Sequence, residues 1–146
     1  MENRFIGRRI IQLSRSIKRT VDSEYLNRIN IGLTVEEGML VERIGRFGGK
    51  AQTKQLLDEM KVSKSTLSEV LSSLERKGYI VYARASSDKR RKNVVLTQKG
   101  QEHVERTVRI FGEFEDRLIK GISEEDLLAI ERVYHRMLLN LGEEGE

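Results

Sequence analysis

The chain of 146 residues contains no cysteine, no proline and no tryptophan, and only 5% of its residues are aromatic. Without cysteine there is no disulfide scaffold, no zinc ribbon, no thiol nucleophile and no thiol-based redox sensor. Its two histidines, His103 and His135, lack zinc-ligand spacing with neighbouring glutamates, which argues against a metal site. Because no Ser-His-Asp order, nucleophile elbow or phosphate-binding glycine loop is present, we expect neither an enzyme nor a cofactor.

Long apolar runs are missing as well, so we expect no membrane-spanning segment. The first four residues do not begin a basic stretch followed by an apolar region of signal-peptide length, which favours a cytoplasmic protein. With 38% hydrophobic and 34% charged residues, the composition is that of a polar globular domain. The length suits a single compact domain.

Charge is present in both signs but is unevenly distributed. Residues 1–32 carry a net charge of +4, residues 33–100 a net charge of +6, and residues 101–146 a net charge of −6. A basic middle segment indicates a polyanionic partner. Solvated surface charge that happens to segregate along the chain is the alternative explanation.

The apolar periodicity predicts a mainly helical protein with a small β-hairpin, an α+β fold class. Thr34 with Glu37 forms a capping-box pattern, and Ser63 and Thr97 stand at N-cap positions. In the helix that follows Thr97, we expect a core-facing stripe of Val104, Val108, Phe111, either Phe114 or Glu115, and Leu118. The predicted helices span about 5–29, 35–47, 51–60, 64–77, 98–120 and 124–141, and the predicted strands span 79–83 and 94–96.

The middle of the chain has the element order of a winged helix-turn-helix. Residues 51–60 and 64–77 form two helices joined by a tight turn, and a hairpin follows. A helix fits the major groove of B-DNA, and short hydroxyl side chains let its backbone approach base edges and phosphates. A serine-rich solvated helix is the alternative. The predicted contacts on this helix are Ser63, Lys64, Ser65, Thr66, Ser68 and Arg76.

The predicted hairpin tip carries four consecutive cations, Lys89, Arg90, Arg91 and Lys92. A long arginine side chain on a thin ribbon can enter the minor groove, where the negative potential is enhanced. Asp88 is close enough in sequence to orient the Arg90 guanidinium. The alternative is a charged loop that only keeps the protein soluble.

Residues 88–100 resemble a signature of the MarR family of bacterial regulators, D-x-R-x-x-x-hydrophobic-x-L-T-x-x-G. All its fixed positions are present, among them Asp88, Arg90, Thr97 and Gly100. The resemblance extends upstream to about residue 33. One departure is Glu37, where many family members have glutamine.

The resemblance implies a homodimeric transcription regulator, a ligand-responsive repressor that binds a palindromic operator on double-stranded DNA. Residues 1–32 and 101–146 would form a helical dimerisation region around a winged helix-turn-helix DNA-binding lobe of residues 33–100. Apolar stripes on the terminal helices agree with this, because one small lobe cannot cover all of them. By the same resemblance, Arg90 would be the minor-groove residue of the wing, oriented by Asp88.

The resemblance also implies an unknown small aromatic or anionic effector in a pocket between the dimer helices and the DNA-binding lobe. The candidate lining residues are Leu13, Ile17, Met39, Phe111 and Phe114. Ordinary core packing explains the same residues. A helical interaction module that docks an acidic protein through the basic wing is the alternative function, and an enzyme with an unrecognised site is a third hypothesis.

Overall fold

The structure is a computed structural model that describes residues 5–84 and 92–143. Its helices and strands follow the predicted order, with one additional strand. The helices are α1 (Ile6–Thr20), α2 (Leu26–Ile29), α3 (Val35–Arg46), α4 (Thr53–Met60), α5 (Lys64–Arg76), α6 (Gln98–Leu118) and α7 (Glu124–Asn140), and the strands are β1 (Lys50–Gln52), β2 (Ile80–Arg84) and β3 (Lys92–Leu96).

The predicted helix over residues 5–29 is confirmed, with a local change of winding. A π-helical segment, Val21–Tyr25, joins α1 to α2. The end of this helical run is buried, because Tyr25 and Ile29 pack with Ile110 and Phe114 of α6. The apolar residues nearer its start, including Ile10 and Leu13, are exposed in the single chain.

The capping box at the start of α3 is confirmed. The Thr34 hydroxyl accepts a hydrogen bond from the Glu37 backbone N–H, and the Glu37 carboxylate accepts one from the Thr34 backbone N–H. The inward face of α3 joins α4, α5 and the sheet in one hydrophobic core. The fully buried members of that core include Leu40, Ile44, Leu56 and Leu74.

Strand β1 corrects the predicted helix over residues 51–60. Residues Lys50–Gln52 pair antiparallel with β3, Ala51 opposite Val94, and the helix begins only at Thr53. Local propensity does not reveal so short a strand, because its pairing partner lies about forty residues away in the sequence. The sheet therefore has three strands, in the order β1-β3-β2, where the sequence predicted a two-stranded hairpin.

The two helices of the helix-turn-helix are joined as predicted. Lys61 adopts the left-handed conformation (φ 50°) that ends α4, and the Ser63 hydroxyl caps α5 by accepting from the Thr66 backbone N–H at 3.1 Å. Leu67, Leu71 and Leu74 bury the inner face of α5. The opposite face of α5 is thereby left for solvent or a partner.

The core-facing stripe predicted for α6 is partly wrong. The buried residues are Gly100, His103, Thr107, Ile110 and Phe114. Val108 is 69% exposed and Leu118 is 37% exposed, so neither belongs to the core of the single chain. The error arose because apolar identity alone set the helix phase, whereas packing places the polar His103 and Thr107 inward.

The described contacts divide the chain into two compact units, Met1–Phe114 and Glu115–Glu146. In the second unit, Ser123 caps α7 by accepting from the Asp126 backbone N–H, as its sequence position suggests. The predicted division into a DNA-binding lobe and a dimerisation region stays a prediction. Within residues 5–84 and 92–143, no helix combines the length and apolar character needed to cross a bilayer.

Candidate nucleic-acid interface

The outer face of α5 presents the predicted contact residues to solvent. Lys64 opens the helix and Arg76 is its last residue, so positive charge stands at both ends. Leu67 and Leu71 anchor the inner face in the core, which sets the rotation of the helix about its axis. The exposed side chains are those of Ser63, Lys64, Ser65, Thr66, Ser68 and Arg76.

Three hydroxyl groups meet at the start of α5. The Ser63 hydroxyl lies 2.9 Å from the Ser65 hydroxyl and 2.8 Å from that of Thr66. Since each hydroxyl both donates and accepts, the cluster can redirect its protons toward an incoming acceptor. The positive end of the helix dipole lies at the same place and favours an anionic oxygen.

A groove of about 510 Å³ runs between α4, α5 and β2. Leu57 and Leu71 contribute apolar surface, whereas Lys54 and Lys64 add positive charge. Lys54 was not among the residues predicted from the sequence. Its place in the first turn of α4 was a usable signal, because the first helix of a helix-turn-helix crosses the DNA backbone. The full lining is Thr53, Lys54, Leu57, Asp58, Lys64, Leu67, Ser68, Leu71 and Tyr82.

Tyr82 contributes a phenol from β2 to this groove. Burial raises the pKa of its hydroxyl above the usual value, and the negative charge of Glu75 raises it further. The phenol is therefore neutral at physiological pH and can act as a hydrogen-bonding group without adding negative charge.

The predicted wing residues Asp88, Lys89, Arg90 and Arg91 lie outside the described residues, as does the Lys92 side chain. The strands on either side are described, and the backbones of Arg84 and Lys92 pair with each other. Residues 85–91 thus connect two paired antiparallel strands, and Lys92, predicted at the hairpin tip, is instead the first residue of β3. The proposed DNA contacts of these side chains stay predictions.

A buried carboxylate joins the far end of α5 to the start of α3. Glu37 is 4% exposed, and its carboxylate accepts from the Ser73 hydroxyl at 2.5 Å, from the Lys77 ammonium at 2.7 Å and from the Thr34 backbone N–H at 2.8 Å. The Lys77 ammonium also donates to the Gly32 carbonyl at 3.0 Å. We call this set of Gly32, Thr34, Glu37, Ser73 and Lys77 the Glu37 junction.

The carboxylate of Glu37 is ionised at neutral pH. Burial by itself would raise its pKa, but the hydrogen bonds from Lys77, Ser73 and Thr34, together with the Lys77 charge, outweigh burial and lower it. The sequence identified Glu37 only as a capping residue. Its link to Lys77, forty residues away, was not predicted because spacing along the chain carries no such signal.

A second buried polar group lies between α6 and α3. The His103 ring is fully buried, and its Nε2 atom has no hydrogen-bond partner within 3.5 Å. A Glu42 carboxylate oxygen lies 3.7 Å from this Nε2 atom and accepts a hydrogen bond from the Thr107 hydroxyl. No cluster of three potential metal ligands occurs among the described residues.

The residues predicted to line an effector pocket are not brought together as one set. Ile17 and Phe111 are half-buried against a cluster that contains the buried Phe114. Leu13 is 54% exposed and Met39 is 50% exposed. In the single chain, packing explains Ile17, Phe111 and Phe114. The pocket itself stays a prediction.

Comparison with known proteins shows which family and which solved structures this geometry resembles. A family model described as MarR family matches residues 31–91. A structure of Streptococcus pneumoniae FabT in complex with DNA is 26% identical over 93% of this chain and 97% of that chain, with a TM-score of 0.77. This chain has a winged-helix fold, and its winged lobe matches the MarR family model.

Two other solved structures in this MarR-type group extend the comparison. An S. aureus MepR-DNA complex is 27% identical, covering 89% of this chain and 95% of that chain, with a TM-score of 0.65. The reduced form of MarR from E. coli, at 22% identity, supports the fold alone, covering 91% of this chain and 96% of that chain with a TM-score of 0.68. The match to almost the full length of each relative includes the terminal helices as well as the winged lobe.

Proposed function

We propose that this chain is a dimeric, sequence-specific DNA-binding regulator of transcription that represses from a palindromic operator and releases it in response to a ligand. The family match, and likeness to relatives solved with DNA, support the general role of a DNA-binding transcription regulator. The observation that carries the proposal is the exposed hydroxyl and lysine face at the start of α5, on a lobe whose hairpin holds the basic run. Regulators of this family are generally not enzymes, and we propose the same here.

Major-groove binding explains the composition of α5. Serine is a poor helix former, so four serines in one helix need another reason to be present. Small hydroxyl side chains allow close approach and can bond to base edges or phosphates. Protein docking would favour aromatic anchors, and the sequence of α5 contains no aromatic residue.

Dimer formation would cover the apolar surface that a single chain leaves exposed. On α1, Ile6, Ile10 and Leu13 are each at least 44% exposed. On α7, Ile130 is 55% and Tyr134 is 62% exposed. Pairing with a second copy would bury these side chains, and two-fold symmetry would then present two α5 helices to half-sites about 34–36 Å apart.

Ligand response would act on the separation of the two recognition helices. Because the two half-sites must be occupied together, a ligand that favours a different separation lowers DNA affinity. An aromatic or anionic molecule near Ile17, Phe111 and Phe114 is the proposed effector. Isothermal titration with small aromatic acids, with and without DNA, tests this part separately.

The test of the operator proposal is selection of DNA from a random pool, followed by binding measurements across a salt series. We expect a preferred palindromic sequence. Arg90→Ala should weaken binding and reduce the slope of log K against log salt by about one unit for each half-site, because one phosphate contact is lost per half-site.

Arg19→Ala is the matched control, since it removes the same charge from an exposed position on α1. It should leave the sequence preference unchanged. If neither the wild type nor Arg90→Ala shows any sequence preference, the operator proposal is wrong. Binding to an acidic protein but not to DNA would favour the interaction module instead.

A further inference from the structure

The Glu37 junction lies at the end of α5 that is farthest from the hydroxyl cluster. Ser73 and Lys77 belong to the last turn of α5 and its C-cap, whereas Ser63 caps the first turn. The inner face of α5 fixes its rotation, but a helix held only by that face can still tilt about its start. A second attachment at the far end removes this freedom.

That attachment leads to the segment that follows α2. Lys77 donates to the Gly32 carbonyl, and the Tyr79 hydroxyl donates to the Ile31 carbonyl at 3.3 Å. Residues 30–33 connect the N-terminal helical run, which carries the exposed apolar stripe, to α3. The direction of α5 is thus tied to the connector from the helices that would pair in a dimer.

The junction depends on a carboxylate in particular. Glu37 provides two oxygen atoms and a full negative charge to three donors, one of them cationic, in a buried setting where charge-assisted hydrogen bonds are strong. A glutamine could keep its oxygen toward the Thr34 N–H and the Lys77 ammonium and donate to the Ser73 hydroxyl, but it has no negative charge to pair with Lys77. Glu37→Gln therefore preserves side-chain size while it removes the negative charge that binds Lys77 in the junction.

We propose that Glu37 is a positioning residue for DNA binding. By holding Ser73 and Lys77 against the start of α3 and the 30–33 connector, it sets the direction of α5 and thereby the separation of the two recognition helices in the dimer. This inference rests on the proposed function. The inference predicts different effects on the affinity for a single half-site and on the affinity for a palindrome. A single half-site needs only one α5 helix, whereas a palindrome needs both helices at a defined spacing.

The experiment compares the affinity for a selected palindrome with the affinity for the same duplex with one half-site scrambled. Glu37→Gln should lower the palindrome affinity by roughly tenfold and the single half-site affinity by less than about twofold, since the avidity gain depends on geometry. The salt slope should not change, because no phosphate contact is removed.

Glu36→Gln is the matched control, because Glu36 is the exposed neighbour and its replacement removes the same charge. A purely electrostatic effect would strengthen DNA binding equally in both variants, which is opposite in sign to the proposal. A purely structural role would lower the free energy of unfolding and leave the palindrome-to-half-site ratio unchanged once the protein is folded. Either result would overturn the inference.

Lys77→Met provides a second route if Glu37→Gln does not fold. It breaks the same link from a side chain that is 37% exposed, and the ratio of the two affinities should fall in the same way. In the double variant Glu37→Gln with Lys77→Met, the ratio of palindrome to half-site affinity should fall no further than in the more affected single variant. The reason is that both substitutions break the same link. If the wild type shows a sequence preference and the variants keep its ratio of palindrome to half-site affinity, only this inference is refuted. If the wild type shows no sequence preference, the operator proposal is refuted as well.

Discussion

Thr97 and Gly100 of the signature pattern are both needed for the close packing where β3 meets α6. The Thr97 hydroxyl donates to the Gly78 carbonyl and accepts from the Gly100 backbone N–H at 3.2 Å. A Cβ atom on Gly100 would overlap the Tyr79 carbonyl oxygen, which belongs to backbone and cannot easily move. The threonine and glycine of the family signature therefore close the hairpin onto the end of α5.

Gly100→Ala should lower the free energy of unfolding by about 1–3 kcal/mol, because the added methyl group forces a backbone shift. Gly112→Ala in the same helix is the control. A Cβ there meets no atom within 4 Å, so alanine should be neutral or stabilising by up to about 1 kcal/mol. Urea denaturation measures both, and equal effects at the two glycines would contradict the close-approach explanation.

Glu37 should make stability depend on pH. Because its pKa is lowered in the folded state, its stabilising contribution is complete above the usual glutamate pKa of 4.5 and is lost as the pH falls through the lowered value. Glu37→Gln should thus cost about 1–2 kcal/mol at pH 7 and less below pH 4. A difference between wild type and variant that stays constant from pH 7 to pH 3, in denaturation series with Glu36→Gln as reference, would refute this.

Helix α5 has an N-terminal cap and the proposed DNA-contact surface, and the two overlap at Ser63. Its hydroxyl caps the helix and also belongs to the exposed hydroxyl cluster. Ser68 lies one turn further along on the exposed face and lines the groove. Replacing Ser63 and replacing Ser68 should therefore have different consequences for stability and for DNA binding.

Ser63→Ala should lower the free energy of unfolding by about 1 kcal/mol through loss of the cap. Ser68→Ala should change it by less than about 0.5 kcal/mol, as for most exposed positions, yet should weaken binding to the selected operator. Thermal unfolding and fluorescence anisotropy on the two variants separate these effects. Wild-type operator affinity in Ser68→Ala would remove Ser68 from the proposed interface.

At the scale of the whole molecule, α1 and α7 each expose large apolar side chains in the single chain. Leu13 is 54% exposed and Leu141 is 78% exposed. Exposed apolar patches of this kind mark interaction surfaces in soluble proteins. Pairing with a second copy, as proposed above, would bury such side chains.

Leu13→Glu should convert the proposed dimer to a monomer, because a buried and unpaired carboxylate is costly at an interface. Val81→Lys is the control, since Val81 is similarly exposed, at 49%, but lies on β2 of the winged lobe. Sedimentation equilibrium at micromolar concentration measures both. A wild type that is monomeric under these conditions would refute the dimer, and a Val81→Lys monomer would show that the effect is not specific to α1.

The sequence by itself determined the order of most elements, and the reason is that their signals are local. The caps at Thr34, Ser63 and Thr97 each involve a residue three positions away, so spacing alone was sufficient to locate them. The basic run of the hairpin and the MarR-type signature were likewise contiguous. These patterns were enough to predict the fold and the α5 face.

Only the tertiary structure decided which distant residues meet. Strand β1 exists because it pairs with β3, and the inward phase of α6 follows from packing around His103 and Thr107. Glu37 and Lys77 come together across forty residues, through a burial that neither position reveals alone. Contacts of this kind depend on how the chain closes in space, and a one-dimensional pattern with a period of two or 3.6 residues does not encode them.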